Sequence, residues 1–97
     1  MEPVYIYKSS YEKVNFLPKF FKSKSAAVEQ MLNDLCDELK RENRLTPDAE
    51  EAISRIRDNK FVNYSSGNLA ISNTHFTVSD CVFPGTDFVG RITVECI

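Results

Sequence analysis

The chain has 97 residues, and its single histidine and three cysteines carry most of its nucleophilic and metal-ligating capacity. A thiolate–imidazole pair would have to join His75 to Cys36, Cys81 or Cys96. Cys81 is the nearest in sequence, but it lies further along the same predicted strand. At about 3.3 Å per residue the two side chains stand roughly 20 Å apart, beyond hydrogen-bond reach. Cys36 and Cys96 meet His75 only if tertiary folding brings them there. A zinc site needs four ligands, usually grouped as in C-x-x-C, and no such pair occurs. These spacings predict His75 on a sheet surface, Cys36 and Cys96 as small buried hydrophobes, and Cys81 as an outward and more reactive thiol. Asp34, Asp37, Glu38 and Glu42 fall on one predicted helix, where a run of charges is read as a solvated face. Gly67, Gly85 and Gly90 are isolated, so no phosphate-cradling loop is built from them. The expectation is a chain without catalytic residues, cofactor or metal.

The totals narrow the remaining classes. Ninety-seven residues make one domain, 1–97, with a single modest core. Hydrophobic residues at 42% and charged residues at 27% are proportions of a folded globule rather than a disordered chain. A net charge of −2 gives the molecule no general attraction for phosphate backbones or anionic lipid, so any such contact must be local. An odd cysteine count and the lack of a secretory apolar stretch after Met1 favour a reducing, cytoplasmic setting. No apolar run approaches the roughly 20 residues that a membrane-spanning helix requires.

The elements that would position these side chains follow from periodicity. Val4 and Ile6 alternate with Tyr5 and Tyr7 in "PVYIYK", which predicts a first strand. From Ser25 to near Arg44, Val28, Met31, Leu32, Leu35, Cys36 and Leu39 recur at spacings of three and four, an amphipathic helix. In "LTPDAEEAISRIRDNK", Thr46 caps, Pro47 opens the helix, acids crowd its first turns and Arg55 and Arg57 its last. Ala49, Ala52, Ile53 and Ile56 supply the inward stripe of this second helix, which runs to about Asp58. Beyond Lys60 short apolar stretches alternate with turns: "FVNY", "SSGN", "LAIS", "NT", "HFTVSDCVF", "PGTD" and "FVGRITVECI". The predicted fold is a two-layer α+β sandwich of order β-α-α-β-β-β-β, with two helices on one face of a mostly antiparallel sheet. Phe76, Val78, Val82, Phe88, Ile92, Val94 and Cys96 are placed on the helix side. His75, Thr77, Ser79, Arg91, Thr93 and Glu95 are placed on the open side. Asp80 breaks the alternation and calls for a bulge or an early strand end.

"NFLPKFFKSKS", from Asn15 to Ser25, is the segment that looks most like a contact. Pro18 disfavours a helical Leu17, so a loop leading to a cap at Ser23 or Ser25 is expected. Phe16, Phe20 and Phe21 are material for closing the end of the core, with Lys19, Lys22 and Lys24 toward water. Adjacent Phe20 and Phe21 point in different directions, however, so one of them should stay exposed among the lysines, the type of anchor that interfaces use. A second surface is the open sheet face, where Tyr5 and Tyr7 are expected beside His75 and Arg91. Exposed edges at the first or last strand would allow pairing with another sheet, including that of a second copy.

The functional expectation is therefore binding. The physical profile suits a stoichiometric inhibitor or adaptor of a larger protein, in the manner of phage anti-defence proteins, anti-CRISPR-like blockers or immunity proteins. The alternative is a nucleic-acid-associated regulator that uses Lys8, Lys13, Lys19, Lys22 and Lys24. A winged helix-turn-helix fits poorly, because Asp48, Glu50 and Glu51 would face phosphates. No membrane partner is expected, and a homodimer is allowed.

Overall fold

The structure, a computed structural model, describes residues 2–79 and 87–96. The expectations for a bulge at Asp80, an outward Cys81, an inward Val82 and most of the 84–87 turn lie outside the described residues.

Among the described residues nine elements follow one another: β1 Pro3–Tyr11, β2 Val14–Asn15, β3 Lys19–Phe21, α1 Lys24–Arg41, α2 Pro47–Arg57, β4 Asn63–Ser66, β5 Leu69–Ser72, β6 His75–Val78 and β7 Phe88–Cys96. The two-layer α+β architecture with both helices on one side of an antiparallel sheet is present. The order gains β2 and β3, two short strands inside what the sequence suggested was loop. The sheet runs β2-β1-β7-β6-β5-β4, and β3 also pairs with β1. Neither the first long strand nor the last is an edge, contrary to expectation: β7 lies between β1 and β6, and β1 is flanked on its far side by β2 and β3. The long β1–β7 register, from Pro3 opposite Cys96 to Tyr11 opposite Phe88, ties the two ends of the chain together at the centre of the sheet.

Local chemistry sets the helix ends. Ser23 caps α1 and Thr46 caps α2, each accepting from the backbone N–H three residues on (Ala26 at 3.3 Å, Ala49 at 3.2 Å). Both helices stop at an asparagine in left-handed conformation, Asn43 and Asn59. In α1, Arg44 N–H reaches Leu39 C=O and Asn43 N–H reaches Lys40 C=O; in α2, Lys60 does the same to Arg55 and Asn59 to Ile56. These paired bonds satisfy carbonyls that a helix end otherwise leaves open.

Between the layers, Met31, Leu32, Leu35 and Leu39 of α1 and Ala49, Ala52, Ile53 and Ile56 of α2 meet Leu69, Ile71, Phe76, Val78, Phe88 and Ile92 from the sheet. Gly90 lies opposite Phe76, and the Phe76 ring occupies the space that a side chain at 90 would need. Burial along β7 stops at Ile92. Val94 and Cys96 share its parity but are exposed, not inward as the alternation suggested, because the strand outruns the helical layer that covers it.

Candidate binding surface

Antiparallel partners point to the same side of a sheet, so the registers assign every strand residue to a face. Tyr7 pairs with Ile92 and Tyr5 with Val94, which sends both tyrosines to the helix side. They were expected on the open face beside His75 and Arg91, and that placement is wrong. Tyr7 is 2% exposed and donates its hydroxyl to Asp34 Oδ2 of α1 at 2.8 Å. Gln30 Nε2 donates to the other carboxylate oxygen at 3.0 Å. Burial first, and then the Asp34 carboxylate, push the Tyr7 phenol well above its ordinary range. Tyr5 packs partly buried against the same core. Alternation fixes which residues of β1 share a face but not which face meets the helices, and here the ambiguous sign resolves in favour of the rings.

The open face consequently receives the other half of β1: Val4, Ile6, Lys8 and Ser10. A straight row crosses three strands, from Lys8 (β1) to Arg91 (β7) to His75 (β6). Two cations thus stand directly opposite each other on neighbouring strands, an arrangement that costs stability. Among the described residues the ion pairs are Arg41–Glu38 and Arg57–Glu29, and neither draws on this row. His75 Nε2 lies 3.3 Å from Thr77 Oγ1 on the same face. One row along, Phe20, Ile6 and Thr93 align. Ile6 is buried on this side, away from the main core, with exposed Phe20 at its flank.

The Asn15–Ser25 segment is not a loop with a helical turn. Lys19–Phe21 forms β3, which pairs Tyr5 with Phe21, Ile6 with Phe20 and Tyr7 with Lys19. The free side of β1 offers unpaired backbone groups, and satisfying them outweighs the local preference for a turn. Alternation then separates the neighbouring phenylalanines. Phe21 points to the helix side and packs on the core, while Phe20 faces out and is 64% exposed. Phe16 does not close the core as expected; its N–H is held by Ser9 C=O, but its side chain is half exposed. Of the six large exposed hydrophobics among the described residues, Val14, Phe16, Leu17 and Phe20 belong to this one edge. The lysines do not gather with them on one face. Register puts Lys8 on the open face and Lys19 on the helix face, while Lys13 sits in the β1–β2 turn and Lys24 opens α1. Lys22 is exposed between β3 and the helix cap.

The remaining candidates for chemistry stay apart. His75 is on the open face, whereas half-buried Cys36 packs against the core from α1, so the sheet stands between them. Among the described residues no three of His, Cys, Asp and Glu come together as a metal site. The acids of α1 are not uniformly solvated. Glu38 is 4% exposed and pairs with Arg41 at 3.0 Å, and Asp34 is engaged by Tyr7 and Gln30. Their spacing held the signal, because Asp34 and Glu38 lie three and seven residues beyond Met31, on its stripe. Lys8, expected only as part of a nucleic-acid contact, joins this surface through its register with Arg91; Ile6, through register, and Leu17, through exposure, were not singled out as site residues from the sequence. Among the described residues no helix is long and apolar enough to cross a membrane. No family model matches the chain, and no curated protein or solved structure matches it either.

Proposed function

We propose that this chain works by binding, as a stoichiometric inhibitor or adaptor that docks on a larger protein, and that the partner presents an acidic surface with an apolar pocket. The single observation carrying this reading is the exposure of Phe16, Leu17 and Phe20 along one sheet edge, beside an uncovered face crossed by Lys8 and Arg91. Exposed aromatic anchors next to an arginine that forms no ion pair among the described residues are the composition that interface centres favour. The like-charged Lys8–Arg91 pair costs the free chain stability, and carboxylates of a partner would relieve it. A site kept at such a cost is better explained by contact than by folding. Phage anti-defence proteins and immunity proteins act in this manner, and the reading places the chain in that functional class.

A nucleic-acid role draws less support, because the lysines of the N-terminal segment are distributed over different surfaces instead of tracking one backbone. The test isolates the partner from the native host with the wild-type chain and measures its affinity for Phe20→Ala/Lys22→Ala and for Lys8→Glu, each checked for folding by circular dichroism. Both variants should bind at least tenfold more weakly, with modest dependence on salt. Unchanged affinity in folded variants would reject the site, and a steep fall in binding of an isolated nucleic acid with rising salt would favour the alternative.

A further inference from the structure

The far edge of the sheet is built differently from the aromatic one. β4 ends the strand order, and nothing among the described residues pairs with its outer side. It leads into β5 through a two-residue turn, Gly67–Asn68, with Gly67 at a φ of 58° and Ser66 opposite Leu69. A turn of this length closes on a hydrogen-bonded pair, and such pairs alternate along an antiparallel ladder. Ser66 and Tyr64 therefore bond to β5, and Asn63 and Ser65 direct their N–H and C=O groups outward. Beside this edge lies a cleft of about 330 Å³, lined on one side by Phe61, Val62, Asn63 and Tyr64. Its other side is one stripe of α2: Asp48, Glu51, Ala52 and Arg55. Phe61, at the mouth, is 83% exposed.

We infer that β4 is a self-pairing edge: two copies of this chain join β4 to β4 antiparallel about a two-fold axis and continue the sheet across the pair. The charges of α2 select this occupant. The cleft stripe is acidic toward the start of the helix, at Asp48 and Glu51, and basic at Arg55. A two-fold axis normal to the sheet sets the two copies of α2 antiparallel, and the β4 register we infer is the one that brings Glu51 of each across from Arg55 of the other. α2 rests over β5. Three strand spacings of about 4.8 Å then separate the two helix axes by roughly 14 Å. That exceeds the 8–10 Å of close helix packing, so extended Arg and Glu side chains bridge the gap and Phe61 fills its end. The contact is smaller than the roughly 1,200–2,000 Å² of a standard stable interface, which makes the dimer concentration-dependent and sensitive to salt. This inference does not depend on the binding role of the opposite edge.

Sedimentation equilibrium over a concentration series tests it. The wild-type mass should rise toward twice that of one chain, and added salt should shift the rise to higher concentration. Ser65→Pro removes an outward N–H without touching the β4–β5 bonds and should remain monomeric with an unchanged circular dichroism spectrum. Glu51→Arg and Arg55→Glu, which place like charges across the axis, should each be monomeric alone. An equimolar mixture of the two restores both complementary pairs and should dimerise. A wild-type chain that stays monomeric throughout the series, or a folded Ser65→Pro variant that dimerises like wild type, would overturn the proposal. Should Ser65→Pro fail to fold, the charge variants decide, and a mixture that does not recover dimer counts against it.

Discussion

Tyr7 shows how one side chain joins the layers. Its ring fills the core and its hydroxyl donates to a part-buried carboxylate that Gln30 holds from the other oxygen. Tyr7→Phe should lower stability by about 1–2 kcal/mol at neutral pH, measured by urea unfolding, since Asp34 keeps only Gln30. The phenol also imposes a pH dependence. Its folded pKa is raised above the unfolded value of 10.0, so its contribution is full below that value and is lost as pH rises above it, where the unfolded chain ionises first. Stability of the wild type should decline above about pH 10, and Tyr7→Phe should decline less steeply. Gly90 is the opposite case, a residue whose lack of a side chain is used. A Cβ there would sit 2.8 Å from Phe76 Cζ and closer still to the ring edge. Gly90→Ala should therefore destabilise by about 1–3 kcal/mol in thermal or urea melts.

Among the elements, the β1–β2 hairpin carries strain that its residues do nothing to reduce. Tyr11 pairs with Val14 across a two-residue turn in which Glu12 and Lys13 both have positive φ, 51° and 68°. Asn-Gly suits that geometry, whereas each ordinary residue in it costs about 1 kcal/mol or more. Replacing Glu12-Lys13 by Asn-Gly should raise stability by about 1 kcal/mol or more, read from the urea midpoint. The turn returns the chain along β1, where Phe16 is held by Ser9 and β3 pairs with Tyr5 to Tyr7. The strain thus helps to place the aromatic edge. Between Asn15 and Ser25 the phenylalanines suit a strand but Pro18 and the lysines read as loop, and β3 exists because β1 had a free side to fill.

For the molecule as a whole, the sheet has one covered face and one open face, and the open one holds an unfavourable pair of cations. Lys8→Glu would exchange a repulsive cross-strand pair for an attractive one, so the variant should be as stable as wild type or more so, by a few tenths of a kcal/mol. If the face serves a partner, the same change should abolish binding. Stability gained together with affinity lost, measured by melting and by titration calorimetry, separates a surface kept for contact from one that is merely solvated. A Lys8→Glu chain that is clearly less stable would mean that the row has a structural role instead.

Much of the fold was legible along the chain because its signals are local. Thr46 and Pro47 start a helix wherever they stand, the Met31–Leu39 stripe declares its period, and the β5–β6–β7 succession reads as a meander from its turns. The candidate surface was legible only in part. Phe16 and Phe20 were suspected from composition, but their exposure, and the division between Phe20 and Phe21, depended on a strand that forms only against β1. Period-two alternation determined that Tyr5 and Tyr7 share one side of β1 and that Ile6 and Lys8 share the other. It could not determine which side the helices would cover, because that depends on the β1–β7 register and on Asp34 reaching Tyr7 from a helix far along the chain. Helices, caps and turns are set largely by neighbours in sequence, whereas a strand such as β3, and the surface that remains after distant segments have packed, are decided by tertiary contacts.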